Sequence, residues 1–393
     1  MIETTLAQLT LNITDGKHGD CVNESGSGYY FISCKDITNG NINYENARQI
    51  TKKDFIETHK RTVLEPNDIL VTNSGTIGRM AFVKDIPLTY RTTFQKSVAI
   101  VKPDSNKILP RYLYYLLQYR AEDFVNQSNG AAQKNLLLST MRAFNLKYHS
   151  STEKQKQISD ILSTYDDLIE NNQKQIKLLE EAAQRLYNEW FVDLRFPGYE
   201  NTPITDGVPQ GWKRERLVDI ADVVMGQSPK SEFYNQNSEG LPFHQGVGSY
   251  GPRFVVDDTY STSYTRIALD GSILFSVRAP VGRLNITKNR IVIGRGLSAI
   301  NHKNKHQSYL FYMLKERFFE DNLIGNGSIF ASISKDELLN QVFLVPELEC
   351  EERFNIIVSS IDRQIEVLDE RIKRLTEARD RLLPKLMSGE LEV

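Results

Sequence analysis

Between residues 271 and 315 the chain carries eight Lys or Arg and no Asp or Glu. Arg278, Arg283, Arg290 and Arg295 stand there among glycines that let a backbone approach another surface closely. A guanidinium presents paired donors, and an Asn or Gln amide presents a donor beside an acceptor. Such groups match the edges of nucleic-acid bases. Gln227, Gln245, Tyr250 and Arg253, on nearby Gly-rich stretches, extend the set. A second set lies in the first third of the chain: Asn73, Ser74, Arg79, Arg91 and Gln95, with Lys17 and His18 on an Asp-Gly-Lys-His-Gly loop. Phosphate contacts position more often than they specify, so about one in three of these residues is expected at a base edge. In composition alone, a run of solvated lysines and arginines would look similar.

Covalent chemistry finds little support. No Pro-Pro occurs, so the Asn/Asp-Pro-Pro-aromatic motif of a DNA methyltransferase is missing, and no GxxxxGK[ST] phosphate loop is present. Asp15-Gly16-Lys17 imitates the acid-x-Lys pair of a nuclease, but only Glu3 lies upstream as a second acid. His302 and His306, four apart, could share a helix face as metal ligands, yet no Cys or acid lies near enough in sequence to complete a site. Solvated histidines in a basic loop are the expectation. Cys21, Cys34 and Cys350 are odd in number and scattered, which fits free, reduced thiols. A non-catalytic chain without cofactor or metal is expected.

The elements that would position these side chains follow from periodicity. Tyr29–Ser33, Asp68–Thr72, Met80–Val83 and Ser97–Val101 read as strands, and Pro110 opens a helix running to Val125. Two far longer helices dominate. Ile158, Leu162, Tyr165, Ile169, Asn172, Ile176, Leu179, Ala183, Leu186 and Trp190 alternate steps of four and three. Phe354, Val358, Ile361, Ile365, Leu368, Ile372, Leu375, Arg379, Leu382 and Leu386 repeat the pattern 196 residues later. That spacing is the seam of a coiled coil, and each stripe offers the other a surface to bury against. Asn172 and Arg379 break the apolar rule, either as buried register-setting groups or where the seam opens to solvent. The duplication reaches the flanking regions. DILVTNSGTIGR at Asp68–Arg79 aligns with SILFSVRAPVGR at Ser272–Arg283, and the strings beginning at Asn129 and Asn326 also match. A period near 200 residues means two copies of a domain-plus-helix unit. Arg79 and Arg283 are therefore equivalent, and a shared turn or phosphate contact explains them as well as base reading does.

The expected organisation is a first domain at 1–150, a long helix at 151–195, a linker at 196–210, a second domain at 211–348 and a second long helix at 349–390. The net charge is −2, but residues 1–150 hold 18 Lys/Arg against 14 Asp/Glu, while both long helices are acidic. No apolar run approaches a membrane span. The start, MIETTLAQLT, lacks a secretory pattern, so a cytoplasmic protein without membrane contact is expected.

SVRAPVGR…IGRGLSAI at Ser276–Ile300 resembles a target recognition domain of the specificity (S) subunits of Type I restriction-modification enzymes. GLPFHQG at Gly240, NGSIFASISKDEL at Asn326, DGKHGD at Asp15, FISCKDI at Phe31, EKQKQISDIL in the first long helix and WFVDLRFPGYE…GVPQGW at the junction extend the likeness over nearly the whole chain. The resemblance implies an α+β fold: two duplicated α/β target recognition domains separated by two long helices pairing as an antiparallel coiled coil. It also implies a bipartite double-stranded DNA target, docking of two methyltransferase (M) subunits, and restriction (R) subunits joining the M–S complex. A helix from Ile158 to Trp190 spans roughly 50 Å, which suits a spacer between half-sites more than one duplex turn apart. The competing reading is a coiled-coil assembly protein with two non-DNA protein-binding domains. It accounts for the repeat but for neither the basic stretch nor the matched strings.

Overall fold

The computed structural model describes residues 1–128, 135–318 and 332–393. The repeat strings NGAAQKNL from Asn129 and NGSIFASI from Asn326 lie, but for their last two residues, outside that range. Two compact units emerge, residues 1–171 with 371–393 and residues 172–370. Each long helix gives one portion to each unit.

The first unit contains β1 (Ile2–Thr5), β2 (Thr10–Asp15), β3 (Tyr30–Ile32), α1 (Lys52–His59), β4 (Ile69–Thr72), β5 (Met80–Phe82), β6 (Thr92–Phe94) and β7 (Val98–Pro103). Then come α2 (Pro110–Tyr119), α3 (Ala121–Asn126), α4 (Leu138–Ala143), β8 (Asn145–Tyr148) and α5 (Thr152–Tyr187). Strands β2, β7, β4 and β5 form, in that order, an antiparallel sheet. Successive strand residues face opposite sides. Ile69, Val71, Ala99 and Val101 accordingly meet α2 through Tyr112, Leu113 and Leu116, and Ile158, Leu162, Leu386 and Met387 of the long helices join that core. Leu70, Val98 and Ile100 point the other way, onto Ile32 and Phe94 of the parallel pair β3–β6. Strands β1 and β8 pair antiparallel and hold the two ends of the domain together.

The second unit repeats this with β9 (Lys213–Arg216), β10 (Ala221–Met225), β11 (Leu241–His244), β12 (Ile267–Ala268), β13 (Ile273–Ser276), β14 (Leu284–Ile286), β15 (Ile291–Ile293) and β16 (Leu297–His302). It ends with α6 (Gln307–Phe318), α7 (Lys335–Leu339), β17 (Val342–Val345) and α8 (Leu348–Ser388). Its sheet runs β10-β16-β13-β14, matching the first strand for strand. Strands β11 and β15 form the equivalent parallel pair, and β9–β17 the equivalent closing pair.

Within each unit the long helices run antiparallel. The early part of α5 shares a core with Leu382 and Leu386 of α8 in the first unit. Ala183, Leu186, Tyr187 and Trp190 share one with Phe354, Val358 and Ile361 in the second. Every seam residue is buried or half-buried. Asn172 is buried, so the seam is not open there. Arg379 is not simply solvated either: its guanidinium reaches Asp166 at 2.8 Å with its side chain about a quarter exposed. Two expected boundaries shift. The helix opened by Pro110 breaks at Arg120, whose N–H turns back to the Leu116 and Leu117 carbonyls, and α3 restarts beyond it. The first long helix closes in a π-helical turn at Asn188–Val192.

Candidate nucleic-acid interface

In each unit the candidate residues are positioned by loops at one end of the main sheet. The Gly16 and Lys17 amides donate to the Val98 and Phe94 carbonyls at 3.2 and 2.8 Å. Gly226 and Gln227 repeat the pattern against Leu297 and Ile293, both at 2.9 Å. The glycine is required at both positions. A Cβ on Gly16 would sit 2.2 Å from the Phe94 oxygen, and one on Gly226 would sit 2.1 Å from that of Gly294. A second loop follows the central strand. Asn73 N–H donates to Ser97 O and Asn73 O accepts from Leu136 N–H; Val277 does the same between Gly296 and Ile333. Ser74 bridges Asn135, and Arg278 bridges Ser332. The result is two matching clusters: Lys17, Ser74, Gln95 and Lys96 in the first unit, and Gln227, Gln245, Arg278 and Arg295 in the second.

Arg278, Arg295, Gln227 and Gln245 are exposed, as are His18 and Lys96, while Lys17, Ser74 and Gln95 are half-exposed. Arg295 rides on a narrow backbone apex, because a Cβ on Gly294 or Gly296 would collide with the Gln245 backbone. His18 hydrogen-bonds the buried Asp15 carboxylate at 2.9 Å, and Arg61 reaches the same group at 3.2 Å, which fixes two basic side chains beside the loop. Lys17 faces Glu57 at 3.9 Å.

Four other candidates form two further equivalent pairs. Arg91 and Arg290 immediately precede β6 and β15, at the far end of a three-residue strand from Gln95 and Gly294, and both are exposed. Arg79 and Arg283 close the turn after the central strand. Their amides donate to Thr72 Oγ1 at 2.9 Å and Ser276 Oγ at 2.8 Å. Gly78 and Gly282, at φ +85° and +90°, make the left-handed step that lets the chain return. This turn accounts for the long matched strings through local backbone geometry.

Three candidates are corrected. Arg253 is 4% exposed, because its guanidinium lies over the Phe311 ring and donates to Asp362 at 2.6 Å. It braces α6 against α8 and is not offered to a ligand. Asn73 is buried by the loop contacts its own backbone makes. The Tyr250 hydroxyl is enclosed without a hydrogen-bond partner among the described residues, and burial raises its pKa. In all three, a Gly-rich or polar neighbourhood in sequence had suggested exposure. Conversely, Lys96 went unselected. It occupies the position of Arg295 at an offset of 199, so the repeat alignment itself could have found it.

His302 and His306 are not solvated. His302 and Glu351 are buried, and His306 Nδ1 and His302 Nε2 lie 2.5 and 3.3 Å from one Glu351 oxygen. The acid arrives from the start of α8, 45 residues beyond His306, which no local sequence window could reveal.

The model of the Type I restriction modification DNA specificity domain matches this chain twice, at residues 17–181 and 209–377. The chain belongs to that family. A putative type I restriction enzyme MjaX specificity subunit of Methanocaldococcus jannaschii is 28% identical over 392 residues, covering 94% of this chain and 89% of the relative. The HindI specificity subunit of Haemophilus influenzae is 22% identical, covering 92% and 94%. The crystal structure of an S subunit from M. genitalium has the same fold, with a TM-score of 0.59 at 15% identity over 98% of this chain and 96% of that one. As a specificity subunit of a type I restriction-modification system, the chain carries two specificity domains, each matched span joining a recognition domain to most of a long helix. No described helix is long and apolar enough to cross a membrane.

Proposed function

We propose that this S subunit reads a bipartite double-stranded DNA target, one half-site per recognition domain, without catalysing a reaction itself. M subunits, and through them R subunits, would assemble on it in the cytoplasm. The observation that carries this reading is the pair of equivalent loop clusters. Two copies of one scaffold present different side chains at matching positions: Lys17, Ser74 and Lys96 in one, Gln227, Arg278 and Arg295 in the other. A shared scaffold with altered donors is what two half-sites of different sequence require. The buried tyrosines, Arg253 and the helix seams supply rigidity, while Arg91 and Arg290, at the far end of their strands, and Arg79 and Arg283, which close the shared turn, suit phosphate contacts better. Mapping methylated bases across a host genome with and without this chain tests the proposal. A split motif that disappears on deletion is expected; an unchanged methylation pattern would refute it.

A further inference from the structure

The two units fasten their long helices to their recognition domains at equivalent positions but with different chemistry. In the first unit Gln155, buried near the start of α5, accepts a hydrogen bond from Leu109 N–H at 2.9 Å and donates to His149 O at 2.7 Å. Its counterpart at an offset of 196 is Glu351, buried near the start of α8 and engaged by two imidazoles. A neutral amide that cannot titrate is thus replaced by three ionisable side chains.

The hydrogen bonds fix the protons of the cluster. His302 Nδ1 accepts from the backbone N–H groups of Asn304 at 3.2 Å and His306 at 3.3 Å. A neutral imidazole keeps one proton, so that of His302 resides on Nε2 and points at Glu351. A metal on Nε2 would need that proton moved to Nδ1, against two backbone donors, which disfavours a metal site on these three residues. Gln155, which makes the equivalent fastening with an amide, shows that the position serves a structural tie.

We propose that His302, His306 and Glu351 form an acid-released clamp between the second recognition domain and its long helix, a device the first domain replaces with Gln155. A second proton on His302 would have to displace two backbone donors from Nδ1, and it would place a charge beside His306 in a buried site. Burial first, and His306 second, push the His302 pKa down to about 4. Burial pushes Glu351 up, the His306 contact opposes this, and Glu215 of β9 adds to the rise. The remaining groups at the cluster are Tyr309 on α6, Tyr187 on α5, and Cys350, Glu347, Glu349 and Arg353 around the start of α8. His302 carries the release, and Glu351 opposes it, because a carboxylate with a raised pKa favours the folded state as pH falls. The folded pKa of His302 lies below the unfolded value of 6.5, so the stability it contributes is full above that value and falls as pH drops toward about 4.

Trp190 and Trp212, the two tryptophans of the chain, both pack in the core of the second unit, so their emission reports that unit. In the full-length protein, the tryptophan-detected melting midpoint should fall by roughly 3–6 °C between pH 7 and pH 5.5 through His302. His302→Gln, which keeps a donor toward Glu351 but cannot titrate, should abolish most of that fall. Glu351→Gln, imitating Gln155, should fold normally and show a steeper fall, because it removes the carboxylate whose raised pKa opposes the release. An undiminished fall in His302→Gln, or no steepening in Glu351→Gln, overturns the clamp. So does a zinc-dependent rise of the wild-type midpoint that His302→Gln lacks, which would make the cluster a metal site.

Discussion

Asp166 and Asp362, 196 residues apart, each accept a hydrogen bond from a tyrosine of the packed domain helix, Tyr115 at 2.5 Å and Tyr312 at 3.1 Å. The cation beside each pair differs. Arg379 lies 2.8 Å from Asp166 with Arg111 at 3.8 Å, whereas Arg253 lies 2.6 Å from Asp362. An arginine spent in this way cannot read DNA, which separates two kinds of substitution. Arg253→Met removes the cation from a carboxylate that is one-fifth exposed. It should destabilise the second unit by about 2–4 kcal/mol, less than a fully enclosed pair would lose. Tryptophan-detected denaturation would register that loss, while the sequence methylated by the surviving folded complex should stay the same. Arg295→Ala should do the reverse. It leaves the melting midpoint unchanged, costs roughly 1–3 kcal/mol of binding, and relaxes one position of one half-site. Equal weakening on all sequences, with a shallower salt slope, would instead assign Arg295 to a phosphate.

At the scale of elements, the stripes of the long helices were legible because a seam needs only apolar side chains at fixed spacing, which sequence displays directly. The strands were legible as short β-branched runs, and the duplication gave their equivalence. What stayed hidden depends on contacts between distant residues. Arg253 looked available on a Gly-rich loop until Asp362 approached from 109 residues away. The histidines looked solvated until Glu351 closed on them, and Arg379 looked like an opening in the seam until Asp166 met it. The seam also makes a test of the proposed spacer possible. Because the helices pair antiparallel within each unit, a whole heptad must enter both to preserve register. Suitable points are between Asn171 and Asn172 and between Glu370 and Arg371, where the chain leaves one compact unit for the other. Seven residues add about 10 Å of helix, or about three base pairs at 3.4 Å each. Methylation mapping should then find both half-sites intact with a longer spacer. A target that keeps its original spacer would show that helix length does not set it.

At the scale of the whole molecule, the duplication makes each recognition domain replaceable, and the closing strands explain why. Lys213 pairs with Val345 and Arg216 with Val342, so the two ends of the second domain leave it side by side. A segment spanning 211–345 can therefore be exchanged for that of another S subunit without moving the chain on either side. The constraint on the donor is the helix-facing core. It must present aromatic or aliphatic groups where Tyr309, Tyr312 and Met313 lie in the core that Phe354 and Val358 share, and a donor for Asp362 where Tyr312 and Arg253 now stand. A chimaera meeting those conditions should methylate a target with one half-site changed and the other retained, at the original spacing. One that keeps the fold but lacks a partner for Asp362 should lose stability in the second unit before it loses specificity, a difference that tryptophan-detected melting separates from methylation mapping. Alteration of both half-sites by this single exchange would contradict independent recognition, because the first unit retains its own sheet, core and loop cluster in full.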